Sequence, residues 1–492
     1  MRQRAARLRS AVARVPTACL ACAAIAFANG AMWAVVTPPF QIPDEIDHIG
    51  YAQFVAERGD LPEGPGPGRG VYSQELAAAA GGVPWTIEGR PIWHPRIGRE
   101  VRRSLDDASP RPDATGSTAA MNPPLYYALE AVPYRLAGWA NLFDRIFVMR
   151  LFSALLAALT VALTFLFVRE VLPRPLWAAP VGALAVAFQP MFGFMSGGVN
   201  NDNLLYTCGA ALIYLVARIL HRGLTVRLGL ALGLVTVAGM LAKTSFIGLL
   251  PGAAVAVLVA IWRAAPAERH RALVAAAAAG ALPIALFAGW LAISEVVFNR
   301  GTETTTAGYT SETVTSRTSL RGHVSYVWQA FLPALPGMQR FPALGEAYPL
   351  WDSFFQGFVG RFGWWRFGFP SWVHWLALYL YLGVLVLAGA ALFRARKALR
   401  GRWPELVTYL LIAGGYLVLV EVAAYRYQVL SGLPFEQTRY LLALLPFYGL
   451  LVAVAARAGG RRWGAALGAF LVTLAMGHSL FAMLRVMSHY YA

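Results

Sequence analysis

Long apolar segments recur along the whole chain and restrict it to one class of fold. A helix needs about 20 apolar residues to cross a hydrocarbon core of about 30 Å, and only helices or closed barrels satisfy the backbone there. Charged residues make up only 14% of the 492 residues, against roughly 25% in soluble proteins. The sequence therefore predicts an all-α polytopic membrane protein, a single membrane domain (1–492) with about eleven transmembrane helices at 12–36, 146–168, 176–196, 203–220, 225–242, 245–262, 272–297, 372–393, 405–425, 438–456 and 463–485.

The charges are distributed unevenly between the two sides of these helices. The net charge is +17, from 42 Lys and Arg against 25 Asp and Glu. With the N-terminus inside, the inner segments carry 21 cations and three acids (Glu170, Glu268 and Glu405), whereas the outer segments carry 21 cations and 22 acids. Cytoplasmic loops of membrane proteins carry such an excess of Lys and Arg. The basic balance therefore indicates an orientation, N-terminus inside and C-terminus outside, and no nucleic-acid partner.

The first apolar segment follows a basic N-terminal stretch, as in a signal peptide. It is too long for one, and we interpret it as an uncleaved first span. The cysteines (Cys19, Cys22 and Cys208) all fall in predicted spans, where packing is their expected role. The outer loops contain no cysteine, so the sequence predicts no extracytoplasmic disulfide.

Two large extracytoplasmic loops are expected, at 37–145 and 298–371. The first contains a breaker-rich stretch at 61–70 and then an amphipathic segment that begins at Asn122 and is expected to lie along the interface. The second begins with a Thr/Ser-rich stretch at 302–319 and ends in a dense aromatic stretch at 351–365. Those aromatic residues either anchor the chain at the interface or form a platform on which a sugar or lipid stacks. Both long loops are predicted on the outer side, so binding or chemistry is expected there.

An acidic motif at 43–48 stands directly after the first span. It contains Asp44, Glu45, Asp47 and His48, whereas the span itself has 22 consecutive residues, 15–36, without a charge. Ionised groups at a membrane face cost desolvation unless they have a partner or a use. The motif is therefore a candidate reaction centre. The alternatives are that Asp44 and Glu45 cap a helix and that Asp47 and His48 only orient it.

Further polar groups are predicted to converge on the same face. They are the turn at 200–203 with Asn201 and Asp202, Lys243 between two spans, and Arg439 with Tyr440 at the start of another. Transfer from a phosphate leaving group requires cations for the phosphate oxygens and a carboxylate for the acceptor proton. The alternatives are a tight turn or helix cap for 200–203 and an interfacial cation for Lys243.

Arg150 lies inside the second span and needs an anionic partner there. The partner is either the donor phosphate or a carboxylate, for which Glu295 and Glu421 are the candidates near outer span ends. We count Arg150 with Lys243 and Arg439 among the candidate phosphate-binding residues.

These residues resemble those of the GT-C-fold glycosyltransferases, polytopic enzymes that use polyprenyl-phosphate-linked sugars. More narrowly, the chain resembles the bacterial membrane proteins grouped as domain of unknown function 2142. The segments that carry the resemblance are 38–48, 122–127, 201–202, 360–364 and 438–446, together with Lys243.

The resemblance implies that Asp44 is the catalytic base and that Glu45 positions the acceptor or a metal. Lys243 and Arg439 would hold the lipid phosphate. Some members of the class use a divalent metal such as Mg or Mn and others do not, so a metal stays open, with Asp44 and Glu45 as its candidate ligands. The expected supporting residues around the acceptor are Asp47, His48, Asn122, Asn201, Asp202 and Tyr440.

The sequence thus predicts an inverting glycosyltransferase in a bacterial inner membrane, with its active site on the extracytoplasmic face. Its donor would be a polyprenyl-phosphate sugar and its acceptor a cell-envelope glycan, lipid or protein. Two alternatives stay open, a transporter or flippase for a lipid-linked glycan and a non-enzymatic scaffold for envelope assembly. A transporter would favour ionisable groups near mid-span and repeated halves, whereas here the acids stand at the outer ends.

Overall fold

Helices form nearly all the regular structure that the computed structural model describes, which covers residues 15–62, 73–83, 94–105, 108–112, 118–298, 318–341, 349–431 and 437–492. Most of the stretches 61–70 and 302–319 lie outside these residues. One two-residue antiparallel pair is also present, β1 (Arg361–Phe362) with β2 (Phe367–Gly368). The α-helices are α1 Thr17–Val36, α2 Glu45–Arg58, α3 Gln74–Gly82, α4 Pro95–Ser104, α5 Leu125–Leu136, α6 Leu142–Val171, α7 Ala178–Ala187, α8 Pro190–Ser196, α9 Asp202–Arg222, α10 Val226–Ala242, α11 Leu250–Arg263, α12 Arg269–Val296, α13 Leu320–Phe331, α14 Leu350–Gly360, α15 Ser371–Arg394, α16 Arg396–Arg400, α17 Trp403–Ser431, α18 Leu445–Ala456 and α19 Gly460–Tyr491.

The all-α polytopic architecture predicted from the sequence is confirmed. Within the described residues, eight helices are long and apolar enough to cross a membrane, or nine if α7 and α8, bent by 63°, count as one span. One of the eight is the 54-residue segment Thr438–Tyr491, in which α18 and α19 pack against each other. Each of the eleven predicted spans falls on one of these segments or on the shorter apolar α10. The count of eleven and the orientation remain predictions.

Small residues bring the central helices close together. A Cβ added to Gly30 of α1 would lie 3.0 Å from the Cβ of Ala154 in α6. Gly182 of α7 and Gly449 of α18 approach through their backbones, and a Cβ on either would lie 2.6–2.7 Å from the other's carbonyl oxygen. Helices in a membrane associate largely through such close packing of small residues. These contacts fix the helix ends that carry the polar residues.

Two of the helices in the first loop, α2 and α5, hold the acidic motif in place. The predicted amphipathic segment after Asn122 forms α5, which contacts both α2 and α6. Its Tyr126, Tyr127 and Tyr134 are fully buried, so one face of α5 is covered by protein. This packing holds α2, and with it the acidic motif, against the ends of the long helices.

A second charged cluster lies at the opposite end of the bundle. Arg222, at the last turn of α9, donates to Glu170 through Nε and Nη2 at 2.8 and 2.7 Å. Arg402 donates to Glu405 with two bonds of 2.6 Å, and His221 lies 3.1 Å from the same carboxylate. Two of the three acids predicted for the inner face, Glu170 and Glu405, thus bind α6, α9 and α17 together. All three cysteines are buried and free.

Candidate active site

Asp44 occupies the turn between α1 and α2 in a left-handed backbone conformation, with φ +61°. A residue other than glycine pays about 1–3 kcal/mol for such a conformation, which is common at functional sites. Asp44 stands at the N-cap position of α2 but makes no side-chain capping bond. Its Oδ2 instead accepts a hydrogen bond from Nη2 of Arg439. The side chain keeps 35% of its surface exposed, so the capping alternative does not describe this carboxylate.

Glu45, the next residue, is fully buried. Its Oε1 accepts from Arg150 Nε at 2.8 Å and from the Val199 amide at 3.1 Å. Its Oε2 accepts from Arg150 Nη2 at 2.6 Å and from the Phe40 amide at 2.8 Å. A carboxylate has about four acceptor sites, so this one is saturated. The predicted role of Glu45 at the acceptor or on a metal does not fit this geometry.

Arg150 is equally occupied and needs the same correction. Besides its bonds to Glu45, Nη1 donates to the carbonyls of Ala34 and Thr37, at 3.0 and 2.6 Å, and Nη2 donates to Pro38 at 3.0 Å. All five N–H donors of the guanidinium are therefore used. No donor remains for a phosphate, and the carboxylate partner is Glu45 rather than Glu295 or Glu421.

Lys243 and Asp202 form the second ion pair of the site. Lys243 directly follows α10, and Asp202 is the first residue of α9. Nζ of Lys243 lies 2.5 Å from Oδ1 of Asp202. The lysine side chain is 21% exposed, whereas Asp202 is fully buried. The predicted convergence of Lys243 with the 200–203 turn is therefore present in the structure.

Arg439 connects the two carboxylates. Besides Asp44, it lies near Asp202, with 4.0 Å between Nε and Oδ2. Neither of these two atoms has a hydrogen-bond partner among the described residues. The ring of Tyr440 lies beneath both cations, 4.9 Å from Lys243 Nζ and 5.0 Å from Arg439 Cζ. The site thus holds two cations and two carboxylates within a single network.

Buried side chains hold the backbone that carries Arg439 and Tyr440. Tyr206 donates to the carbonyl of Arg439 and Tyr416 donates to that of Tyr440, both at 2.8 Å. Thr438 donates to the carbonyl of Phe354 at 3.0 Å. The sequence gives no signal for Tyr206 or Tyr416, because each contributes one hydroxyl group from a largely apolar helix.

The side-chain amides of the asparagines in the 200–203 turn donate to backbone carbonyls. Asn200 Oδ1 accepts from the Asp202 amide at 2.9 Å, and its Nδ2 donates to the carbonyl of Pro43 at 3.0 Å. Asn201 Nδ2 donates to the carbonyl of Ala242 at 3.1 Å. The turn therefore fixes the residues next to Asp44 and Lys243, and only Asp202 presents a charge.

His48 contacts Tyr127, whereas Asn122 bonds to the backbone before α5. The ring nitrogen Nδ1 of His48 lies 2.9 Å from the Tyr127 hydroxyl, and Asn122 Nδ2 donates to the carbonyl of Ala119 at 3.2 Å. Tyr127 also stacks on Tyr51 with ring centroids 3.7 Å apart. Asp47 lies half-buried on α2, the helix that also carries His48 and Tyr51.

The electrostatic environment keeps Asp44 ionised and His48 neutral. Burial raises the pKa of Asp44, but Arg439 and Lys243 outweigh it, so the pKa lies below its usual range. Burial lowers the pKa of His48 to about 4. Burial likewise raises the pKa of Glu130 to about 8. That carboxyl accepts from Tyr126 and Ser153 through Oε1, at 2.8 and 3.2 Å.

A family model described as "Predicted membrane protein (DUF2142)" matches residues 27–448. No curated protein matches the sequence. Among solved structures, ArnT from Cupriavidus metallidurans in the apo state is 15% identical, with a TM-score of 0.45 over 89% of this chain and 74% of ArnT.

The Archaeoglobus fulgidus oligosaccharyltransferase, tethered with an acceptor peptide containing the NVT sequon via a disulfide bond, is 11% identical, with a TM-score of 0.46. The match covers 96% of this chain and 55% of that enzyme. The apo form of the same enzyme is 11% identical, with a TM-score of 0.42, and the match covers 96% of this chain and 56% of that enzyme. The chain spans about half the length of this oligosaccharyltransferase.

Proposed function

We propose that this chain, which belongs to the DUF2142 family of membrane proteins, transfers a sugar from a polyprenyl-phosphate donor to a hydroxyl acceptor. The acceptor is a glycan, lipid or protein of the cell envelope. The observation that carries the proposal is the network in which Asp44, Arg439, Lys243 and Asp202 meet at one end of the helix bundle. The charge asymmetry of the sequence supports an extracytoplasmic site in a bacterial inner membrane.

The cations of this network suit the phosphate of such a donor. A polyprenyl-phosphate sugar carries one negative charge on its phosphodiester. Arg439 and Lys243 both lie within about 5 Å of the Tyr440 ring, and Arg offers the planar donor pattern that phosphate oxygens accept. Lys243 is partly exposed and can reach a ligand without unfolding its helix.

Asp44 suits the role of the base. Its carboxylate is ionised and partly exposed, and it lies beside the cations. In the proposed step, the acceptor hydroxyl oxygen forms a bond to the anomeric carbon while its proton passes to Asp44. The bond from that carbon to the phosphate oxygen breaks, and its electron pair stays on the phosphate. Displacement from the opposite side inverts the anomeric centre.

The net charge of the site does not change during this step. Asp44 loses its negative charge when it takes the proton, and the departing prenyl phosphate gains one. Arg439 contacts Asp44 directly, so the charge moves between two groups that the same guanidinium can stabilise. Such preorganised charge stabilisation commonly contributes more to catalysis than any other single effect. The leaving phosphate needs no proton, so one carboxylate suffices.

A divalent metal does not fit the residues proposed for it. Both oxygens of Glu45 are saturated by the Arg150 and amide bonds, and Asp44 is already paired with a guanidinium. Among the described residues, no group of three His, Cys, Asp or Glu is arranged to hold a metal ion. The mechanism therefore assigns its steps to the protein's own side chains.

An apolar cavity of about 370 Å³ suits the lipid part of the donor. It lies between α14 and α15 and is bounded by Thr438 and Leu441, the residues that flank Arg439 and Tyr440. Neither cation lines the cavity, so the proposal requires the donor to extend past Thr438 and Leu441 to place its phosphate at Lys243 and Arg439. The aromatic stretch 351–365 contributes to its lining through Trp351, Phe354, Phe355 and Phe358, which supports the platform alternative for that stretch.

Purified protein in nanodiscs, incubated with radiolabelled polyprenyl-phosphate sugars, tests the proposal. Wild type should bind one donor and slowly release its sugar to water. Lys243→Ala should lose binding, and Asp44→Asn should bind donor but release no sugar. Arg102→Ala, which removes an exposed cation paired with Asp144, is the matched control. Transport of labelled lipid in liposomes that survives the loss of Asp44, without release of sugar, would instead favour the flippase alternative.

A further inference from the structure

We infer that the donor phosphate and Asp44 compete for Arg439, so that the base is restrained by this arginine until the donor arrives. The inference rests on the proposed function and adds an order of events to it. Its basis is that most N–H groups of the Arg439 guanidinium already have protein partners, and that a ligand can reach this guanidinium from one direction only.

Most of the Arg439 guanidinium is committed to the protein. Nη1 donates to the carbonyl of Pro43 at 3.2 Å, and Nη2 donates to Asp44 and to the Tyr440 hydroxyl, the latter at 3.1 Å. Nε is buried and faces Asp202. The arginine side chain is only 4% exposed, against 35% for Asp44. A phosphate that arrives from the exposed side therefore meets the edge that Asp44 occupies.

The other charges around Asp44 cannot replace this contact. Lys243, at the end of α10, is held by Asp202 at 2.5 Å. His48, on the helix that Asp44 precedes, is buried, and its Nδ1 is engaged by Tyr127. Arg439 is the cation whose hydrogen bond Asp44 accepts. A phosphate monoanion on Arg439 would remove this bond and offset the positive charge that stabilises the carboxylate.

The consequence is a base that becomes stronger only when donor is bound. Without donor, the Arg439 pair keeps the carboxylate ionised but weakly basic. With donor, the released carboxylate has a higher proton affinity, which is what general-base catalysis requires. The coupling is reciprocal: if phosphate binding releases Asp44, then loss of the Asp44 charge must strengthen phosphate binding.

Binding of undecaprenyl phosphate, the donor without its sugar, measures this coupling. In nanodiscs, Asp44→Asn should bind it about 5-fold tighter than wild type or more, the lower limit of a usual coupling energy. Asp144→Asn removes a carboxylate at an exposed position outside the network and should change the affinity by less than about 2-fold, as for an exposed charge. Equal or weaker binding by Asp44→Asn would overturn the competition.

A spectroscopic readout separates release of Asp44 from general charge repulsion. Protein labelled with ¹³C-aspartate should show a shifted carboxylate stretching band when undecaprenyl phosphate binds, and the shift should be absent in Asp44→Asn. Binding without that band shift would overturn this inference and leave the proposed function intact. If wild type binds no prenyl phosphate at all, both the inference and the proposed function fail.

Discussion

Asp44 and Glu45 are consecutive in the chain, yet their carboxylates bind different arginines. Glu45 is saturated by Arg150 in the protein interior, whereas Asp44 reaches Arg439 at a partly exposed edge. The left-handed backbone of Asp44 separates the two directions. One acid of the pair therefore holds the site together and the other remains available for chemistry.

The Glu45–Arg150 pair should be essential for stability. Arg150→Gln leaves a buried carboxylate without its cation, which typically costs about 3–5 kcal/mol. Most of this variant should unfold or aggregate when it is extracted, which size-exclusion chromatography of the detergent-solubilised protein would show. Arg102→Gln breaks an exposed pair with Asp144 and should cost no more than about 1 kcal/mol. Similar profiles for the two variants would contradict the assigned role.

The buried His48 should make stability depend on pH. Its pKa of about 4 in the folded protein lies below the value near 6.5 expected after unfolding. The unfolded chain therefore binds the extra proton first, and stability is lost as the pH falls from about 6.5 towards 4. Thermal unfolding between pH 7 and 5 should show a smaller fall in the apparent Tm for His48→Gln than for wild type. Parallel curves would argue against a neutral, buried imidazole.

Glu130 should act in the opposite direction. Its pKa of about 8 exceeds the value near 4.3 of an unfolded glutamate, so the folded protein holds the proton longer. The stability that this group contributes is present below about pH 4 and is lost as the pH rises through about 8. Glu130→Gln should therefore gain apparent Tm relative to wild type between pH 5 and 8. A constant difference in apparent Tm between the two proteins across that range would argue against a raised pKa for Glu130 in the folded protein.

Filling the apolar cavity between α14 and α15 should weaken donor binding. Leu378 of α15 lines this cavity, and Leu378→Trp would occupy space proposed for the isoprenoid chain. We expect the KM for the donor to rise and kcat to change little, because the ionic network is untouched. Val386→Trp on the same helix, at an exposed position, is the control. An unchanged KM in Leu378→Trp would place the lipid elsewhere.

The helices and the convergence of the polar residues could be predicted from the sequence, because a membrane restricts the structures that an apolar segment can form. Apolar segment length predicts helices, and those predictions fall on helices in the structure. The polar residues between the segments were expected to meet at one end, and Asp44, Asp202, Lys243 and Arg439 do so. A residue at the end of a membrane helix has few positions to occupy, which is why this convergence is predictable.

The pairing within the site was not predictable in the same way. Asp44 and Glu45 are adjacent acidic residues, and the sequence does not show which of them is buried. The left-handed backbone of Asp44 directs the two carboxylates to different arginines. The sequence leaves open whether Arg150 pairs with a phosphate or a carboxylate, because its partner Glu45 lies 105 positions away in the chain and no local pattern reports such a contact. Tyr206 and Tyr416 support Arg439 through backbone carbonyls, which any sequence provides.

The rate at which bound donor releases its sugar, compared between wild type and Asp44→Asn, decides whether Asp44 is the base. It should be measured at saturating donor and with equal amounts of folded protein, so that neither affinity nor expression enters. A lost general base should lower this rate by about 10²–10⁴-fold, while the donor stays bound. A variant that releases sugar at the wild-type rate would contradict the assignment of Asp44 as the base and, with it, the proposed mechanism.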